Sequence, residues 1–208
     1  MRQRRFERFA ALAERLPRPL RILDIGGRNR FWEQHGWAGR CDVHITLANI
    51  EHQDKVHPNI DPVYADATHL DDFADNNFDI VFSNSVIEHL ATWDRQVAMA
   101  HEVRRVGKAY WVQTPNYWFP MEPHFRMFGW QWLPTELRVA LLRRHTFGFR
   151  GRCPSYQHAF QVVSEVRLLK AKELELLFPD ATLLAERLLG LVKSWIAIGG
   201  LWGSPPVT

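Results

Sequence analysis

Apolar and polar positions alternate between two periods along most of this chain. Residues 1–16 repeat at helical spacing: Phe6, Phe9, Leu12, Ala13 and Leu16 share one face, and Arg2, Arg5, Arg8 and Arg15 lie largely elsewhere. Pro17 and Pro19 end that helix. A continuous apolar run predicts a buried strand at 20–25, followed by a short helix over 29–36. Further strands are expected at 43–48, 62–65, 78–82 and 109–113, with a polar loop over 51–61. Within 92–104, Trp93, Val97, Ala100 and Val103 recur at helical spacing. Strands alternating with helices through short loops predict an α/β chain whose doubly wound, parallel sheet is covered on both faces.

The alternation breaks at 115–163. Trp118, Phe119, Phe125, Met127, Phe128, Trp130, Trp132, Phe147 and Phe149 stand there among Pro, Gly, His and Arg. The stretch is too long for an ordinary loop and too aromatic for a linker. It reads as an inserted lid with one helix over 133–144. Its aromatic rings either stack on a ligand or form a small core of their own. A helix over 168–177 and a closing pair of strands at 182–188 and 193–198 then complete a seven-stranded, mostly parallel sheet. The whole chain, 1–208, is expected to form one domain, with 115–163 as its insertion.

Composition narrows the function. At 46% hydrophobic and 24% charged residues, the chain suits a globular domain with a single sizeable core. Cys41 and Cys153 make neither a disulfide framework nor a zinc spacing. No apolar run is long enough for a membrane span, and the arginine-rich start lacks the apolar core of a secretory signal, so the expected location is cytoplasmic. The net charge is only +3, but basic residues gather at 2–8, 104–108 and 138–152. Such patches suit an anionic partner or a solvated surface, and the first helix is a candidate for peripheral contact with a membrane. No phosphate-binding P-loop pattern and no G-x-G-x-x-G follow the first strand. His44, His52 and His57 are scattered, without the spacing of a metal centre, and none is expected.

Candidate chemistry concentrates at two strand ends. The first reads Asp24-Ile25-Gly26-Gly27; the second is Phe78-Asp79-Ile80-Val81-Phe82-Ser83-Asn84-Ser85-Val86-Ile87-Glu88-His89. Glycines let a backbone approach a ligand closely, and a following helix N-terminus offers N–H groups to an anion. Asp24 can hold the loop or receive an ammonium group. Asp66 can cap a turn. His89, titrating near neutrality when unperturbed, can accept a proton.

With these motifs the chain resembles the class I S-adenosylmethionine-dependent methyltransferases, in the type 11-like subgroup, over roughly 20–113 and 168–198. The resemblance implies a Rossmann-like fold and S-adenosyl-L-methionine as cofactor. By resemblance, Asp24, Gly26 and Gly27 would meet its methionine part, Asn49 or else Glu51 its ribose, Asp66 and the Ala67 N–H its adenine, and Ser83 and Asn84 the region of its sulfonium. The family pattern D-x-G-x-G-x-G is interrupted here by Arg28 and Arg30, and the usual ribose-binding acid is replaced by Asn49. His89, together with His124 and Tyr117 from the insertion, are the candidate catalytic residues. The expected activity is methylation of a small or glycan-like acceptor, at oxygen. The rival expectation is a catalytically weak binding or scaffold protein on the same fold. A nucleic-acid acceptor is disfavoured, because the N/D-P-P-Y/F signature of amine methylation is missing.

Overall fold

The computed structural model describes residues 2–202. Its elements are α1 (Arg2–Ala13), β1 (Leu20–Ile25), α2 (Asn29–Gln34), β2 (Val43–Asn49), β3 (Ile60–Tyr64), β4 (Phe78–Asn84), α3 (Trp93–Val106), β5 (Gly107–Pro115), β6 (Met121–Glu122), β7 (Met127–Phe128), α4 (Thr135–Arg144), α5 (Tyr156–Ser164), α6 (Ala171–Leu177), β8 (Thr182–Leu188) and β9 (Leu191–Gly200). Seven strands form one sheet in the order β3-β2-β1-β4-β5-β9-β8, and β6 pairs only with β7. Strands β1 to β5 run parallel, and β9 is antiparallel to both β5 and β8. This is the α/β, doubly wound, Rossmann-like sheet expected from the alternating pattern.

Each face of the sheet has its own core. Leu23, Val81 and Val112 pack with Met99 and Val103 of α3 and Leu174 of α6. On the other face, Phe6 and Phe9 of α1 meet Trp32, Trp37, Phe82 and Trp111. The Phe9 ring stands edge-on to Phe82 at 4.7 Å. Full burial of such a ring contributes about 2–3 kcal/mol. The apolar face of α1 is thus packed on the sheet, and Arg2, Gln3, Arg4, Glu7 and Arg8 are exposed. No helix among the described residues is long and apolar enough to cross a membrane.

The insertion departs from its expected form. It holds two helices, α4 and α5, around a third core of Phe125, Trp130, Val139, Leu142, Cys153 and Val162. Phe125 stacks on Trp130 with centroids 4.3 Å apart. The second helix is signalled by Ser155, whose hydroxyl accepts the His158 N–H at 3.2 Å as an N-cap, with Ala159, Val162 and Val163 on the buried face. The next helix begins at Ala171 rather than 168, because Leu168 and Leu169 are drawn into the core in extended form. The Leu169 carbonyl accepts the Tyr117 N–H at 3.0 Å, tying the start of the insertion to the segment that leads into α6. Leu189 and Gly190, both at positive φ, make the two-residue turn that returns β8 into β9.

The basic cluster at 104–108 is largely neutralised. Arg104 pairs with Asp180, Arg105 with Glu102 and Asp75, and Lys108 with Asp79. In the first cluster, Arg5 turns inward to Glu186 of β8.

Candidate active site

The loop after β1 is shaped by packing beneath it. Gly26 sits at φ +72°, and a Cβ there would lie 2.5 Å from the Val86 side chain. A Cβ on Gly27 would fall 1.9 Å from the Asp24 carboxylate. Both glycines are therefore demanded by the protein's own interior. Asp24 is buried beneath the loop and accepts a hydrogen bond from the Trp32 indole N–H at 2.8 Å. Burial pushes its carboxyl up to about 8, against the smaller opposing effect of that hydrogen bond, so it is neutral near pH 7. Asp24 thus lies against the loop, with its carboxyl engaged by Trp32.

The end of β2 is braced in the same way. The Asn49 amide donates to the Gly27 carbonyl at 3.2 Å and accepts the Glu51 N–H at 3.0 Å. Gln53 donates to the same Gly27 carbonyl at 2.9 Å. With its oxygen and one N–H engaged, Asn49 braces the loop after β1. Glu51 is 62% exposed at the rim, where it pairs with the equally exposed Arg28. At the end of β3, Asp66 accepts from the Thr68 N–H and hydroxyl and from Arg95. Burial raises its carboxyl, but these hydrogen bonds outweigh burial and hold it below the ordinary range, so it is ionised. Ala67 follows it, buried.

At the end of β4, neighbouring residues diverge. Ser83 is fully buried at the strand end, and its hydroxyl has no partner. Asn84 faces outward and accepts from Arg5 at 2.5 Å; the same guanidinium nitrogen donates to Gln113 of β5 at 2.7 Å. Arg5 also donates to Glu186, which accepts the Ser194 hydroxyl. Burial raises the Glu186 carboxyl, but the hydrogen bonds from Arg5 and Ser194 prevail and leave it below its usual value. Ser85, at φ +60°, donates its hydroxyl to Gln113 at 2.9 Å. A left-handed non-glycine residue at a strand end is a common mark of a functional turn. A cavity of about 330 Å³ opens here, lined by Arg5, Asn84, Ser85, Gln113, Asn116 and Phe119 among others. Arg5, Gln113 and Glu186 are not among the expected site residues. Their meeting depends on α1 crossing the sheet edge, and no local pattern announces it.

The remaining candidates divide. His89 and His124 meet, with their Nε2 atoms 3.2 Å apart. His124 Nδ1 lies 2.6 Å from Glu122 Oε1, and Glu122 also accepts the Phe125 N–H. Glu88, in a 3₁₀ turn at Ile87–Leu90, is fully buried and accepts the Thr114 hydroxyl at 3.0 Å. Burial raises its carboxyl to about 7. Although one edge of His89 is exposed, crowding of its ring, then the positive charges of His124 and Arg150, push it below its usual range, so it is neutral near pH 7. Tyr117 is not part of this group. It lines a cavity of about 250 Å³ with Glu122, Arg138, Arg167 and Lys170. The expectation of no metal centre rests on His44, His52 and His57; the structure instead gathers Glu88, His89 and His124.

Residues 40–110, from the approach to β2 through the first part of β5, match the family model of a methyltransferase domain. Over that third of its length the chain is similar to methyltransferase domains. Two uncharacterized proteins of Mycobacterium tuberculosis are each 39% identical to it over 98 residues, which is 45% of this chain and 30% of theirs. The matched part of the chain thus spans less than a third of the length of these curated relatives. A SAM-dependent methyltransferase from Methanosarcina mazei shares the fold with a TM-score of 0.54 at 14% identity, covering 90% of this chain and 94% of that one. The CurJ carbon methyltransferase does so at 0.52 and 10% identity, covering 90% of this chain and 51% of that one.

S-adenosylmethionine is the methyl donor implied by this likeness. Its ribose hydroxyls and adenine amino group are hydrogen-bond donors, and this chain presents carboxylate acceptors at two successive strand ends, the exposed Glu51 and the part-exposed Asp66. Arg28 stands at the loop after β1, where a cationic donor can meet the cofactor's carboxylate. The donor set therefore fits the cofactor. Glu51, Asp66 and Arg28 are the residues that would hold it, with Gly26 and Gly27 forming the floor.

Proposed function

We propose that this chain moves a methyl group from S-adenosylmethionine to an oxygen of a small, hydroxyl-rich acceptor of saccharide type. The observation that carries this reading is the cavity at the ends of β4 and β5. Arg5 holds the side-chain oxygens of Asn84 and Gln113, which leaves their NH2 groups as the donors available to the cavity that both residues line. Two oriented amides and the Ser85 hydroxyl suit an acceptor that carries several oxygens. Trp118 and Trp132, both exposed on the insertion, offer flat apolar surface to a sugar ring. When bound, the cofactor supplies an electrophilic methyl group on a positively charged sulfur. The protein's task is then chiefly positioning, which by itself can account for a large part of the rate.

The test is release of S-adenosylhomocysteine with panels of saccharides, amines and carboxylates. Turnover with saccharides, lowered at least tenfold by Gln113→Ala, supports the reading. Turnover confined to amines or carboxylates overturns the oxygen acceptor. The scaffold reading draws on one specific observation: the Gly27 carbonyl is already bonded twice, and Arg28 is paired with Glu51 across the rim. Calorimetry with S-adenosylmethionine separates the two, since a scaffold gives no binding heat at millimolar cofactor.

A further inference from the structure

The insertion brings His124 back over the turn that follows β4, where it meets Glu88 and His89. One ligand atom from each of the three lies within 4.8 Å of the other two. Three features of this meeting point to a ligand. Glu88 is fully buried, yet its Oε1 has no partner, and an unpaired buried carboxylate oxygen is costly. The Glu122 carboxylate takes the Nδ1–H of His124, which leaves Nε2 with its lone pair directed at His89. Finally, two imidazole nitrogens sharing one tetrahedral ion at roughly 2.05 Å would stand about 3.3 Å apart. The separation observed is 3.2 Å.

We propose that Glu88, His89 and His124 form a binding site for a divalent transition-metal ion, with Glu122 as the positioning residue for His124. Two imidazoles and one carboxylate favour zinc, cobalt or ferrous iron over magnesium or calcium, which prefer all-oxygen sites. The carboxylate–histidine–metal arrangement at Glu122 is the usual means of fixing the tautomer and raising ligand basicity. Glu88 lies in the interior and His89 has an exposed edge, so the remaining coordination positions open toward solvent. This assignment replaces the expected role of His89 as a free base, because its Nε2 is turned to a shared point rather than to open space.

The site sits where it does for a sequence-distant reason. Glu88 and His89 are adjacent on a 3₁₀ turn, and the third ligand arrives 35 residues later, carried by the stretch between β5 and β7. Spacing rules for metal centres therefore miss it. The inference does not depend on the methyl acceptor, and its test needs no cofactor.

The experiment uses the full chain, stripped with a chelator and dialysed. Cobalt(II) is titrated while its visible ligand-field bands are followed, and zinc(II) binding is measured by calorimetry. One equivalent is expected. Affinity falls at least tenfold in His89→Ala, in His124→Ala and in Glu88→Gln, the last keeping the shape of the side chain. Glu122→Gln weakens binding by about 10–100-fold while the stoichiometry stays at one. Zinc should also raise the thermal midpoint of the unmodified chain but not of His124→Ala. Absence of a stoichiometric cobalt signal overturns the proposal, and so does equal affinity in the unmodified chain and His124→Ala.

Discussion

Replacing Asp24 by asparagine isolates one buried carboxyl and predicts its effect on stability across pH. In the unfolded chain the group titrates at its ordinary value of 3.8; in the fold, burial raises it to about 8. Below 3.8 both states hold the proton, and Asp24 exerts no pH-dependent effect. Between the two values the unfolded chain has released a proton that the folded chain keeps, so stability falls as pH rises. The slope is between about 1 and 2 kcal/mol for each pH unit, of order 5 kcal/mol over the whole window, and it flattens above about 8. An asparagine at this position would keep an oxygen for the Trp32 indole N–H, which now donates at 2.8 Å, but would have no proton to lose. Urea unfolding at half-unit steps from pH 5 to 9 gives the comparison. The difference in stability between Asp24→Asn and the unmodified chain should widen steadily to about pH 8 and then hold constant. Parallel curves over that range would refute the reasoning, because every other titrating group is common to both proteins.

Other outcomes follow from the same geometry. Gly27→Ala, which places a Cβ 1.9 Å from the Asp24 carboxylate, should destabilise the fold by about 1–3 kcal/mol and weaken S-adenosylmethionine binding, as read by thermal melts and calorimetry. Arg5→Met leaves the Glu186 carboxylate unpaired at the sheet edge and frees Asn84 and Gln113; roughly 3 kcal/mol of stability should be lost, with kcat/KM falling more than cofactor affinity. Asp66→Ala should weaken cofactor binding at least tenfold, with little change in kcat at saturating cofactor. Trp118→Ala, at a residue 60% exposed, should alter stability by less than about 0.5 kcal/mol while raising KM for a saccharide acceptor severalfold.

The strand ends are legible in the sequence because they are local. A buried parallel strand is a short apolar run, and it must stop where the backbone turns out to a polar edge. Leu20–Ile25 and Phe78–Asn84 therefore announce themselves, and with them Gly26, Gly27, Asn84 and His89. The reasons for the glycines are not legible. From the sequence they read as room for a ligand, whereas the place a side chain at Gly27 would need is taken by Asp24 and that at Gly26 by Val86. Asn49 looks like a ligand partner because it directly follows an apolar run; its amide closes on the Gly27 carbonyl across 22 positions of sequence.

By itself the sequence determined the alternation of strands and helices, and so the parallel sheet, the polar edge and the place of the insertion, since periodicity acts over a few residues at a time. Tertiary structure alone decided which polar groups share a point in space. It turned Arg5 from a surface arginine into the clamp between Asn84, Gln113 and Glu186. It brought His124 to His89 and left Tyr117 lining a cavity with Arg138 and Lys170. It also settled that most of the insertion's aromatic bulk, such as Phe125 and Trp130, fills a private core while Trp118 and Trp132 face outward. Contacts of this kind depend on how layers pack and how a chain closes on itself, and neither leaves a repeat in the sequence that could be read beforehand.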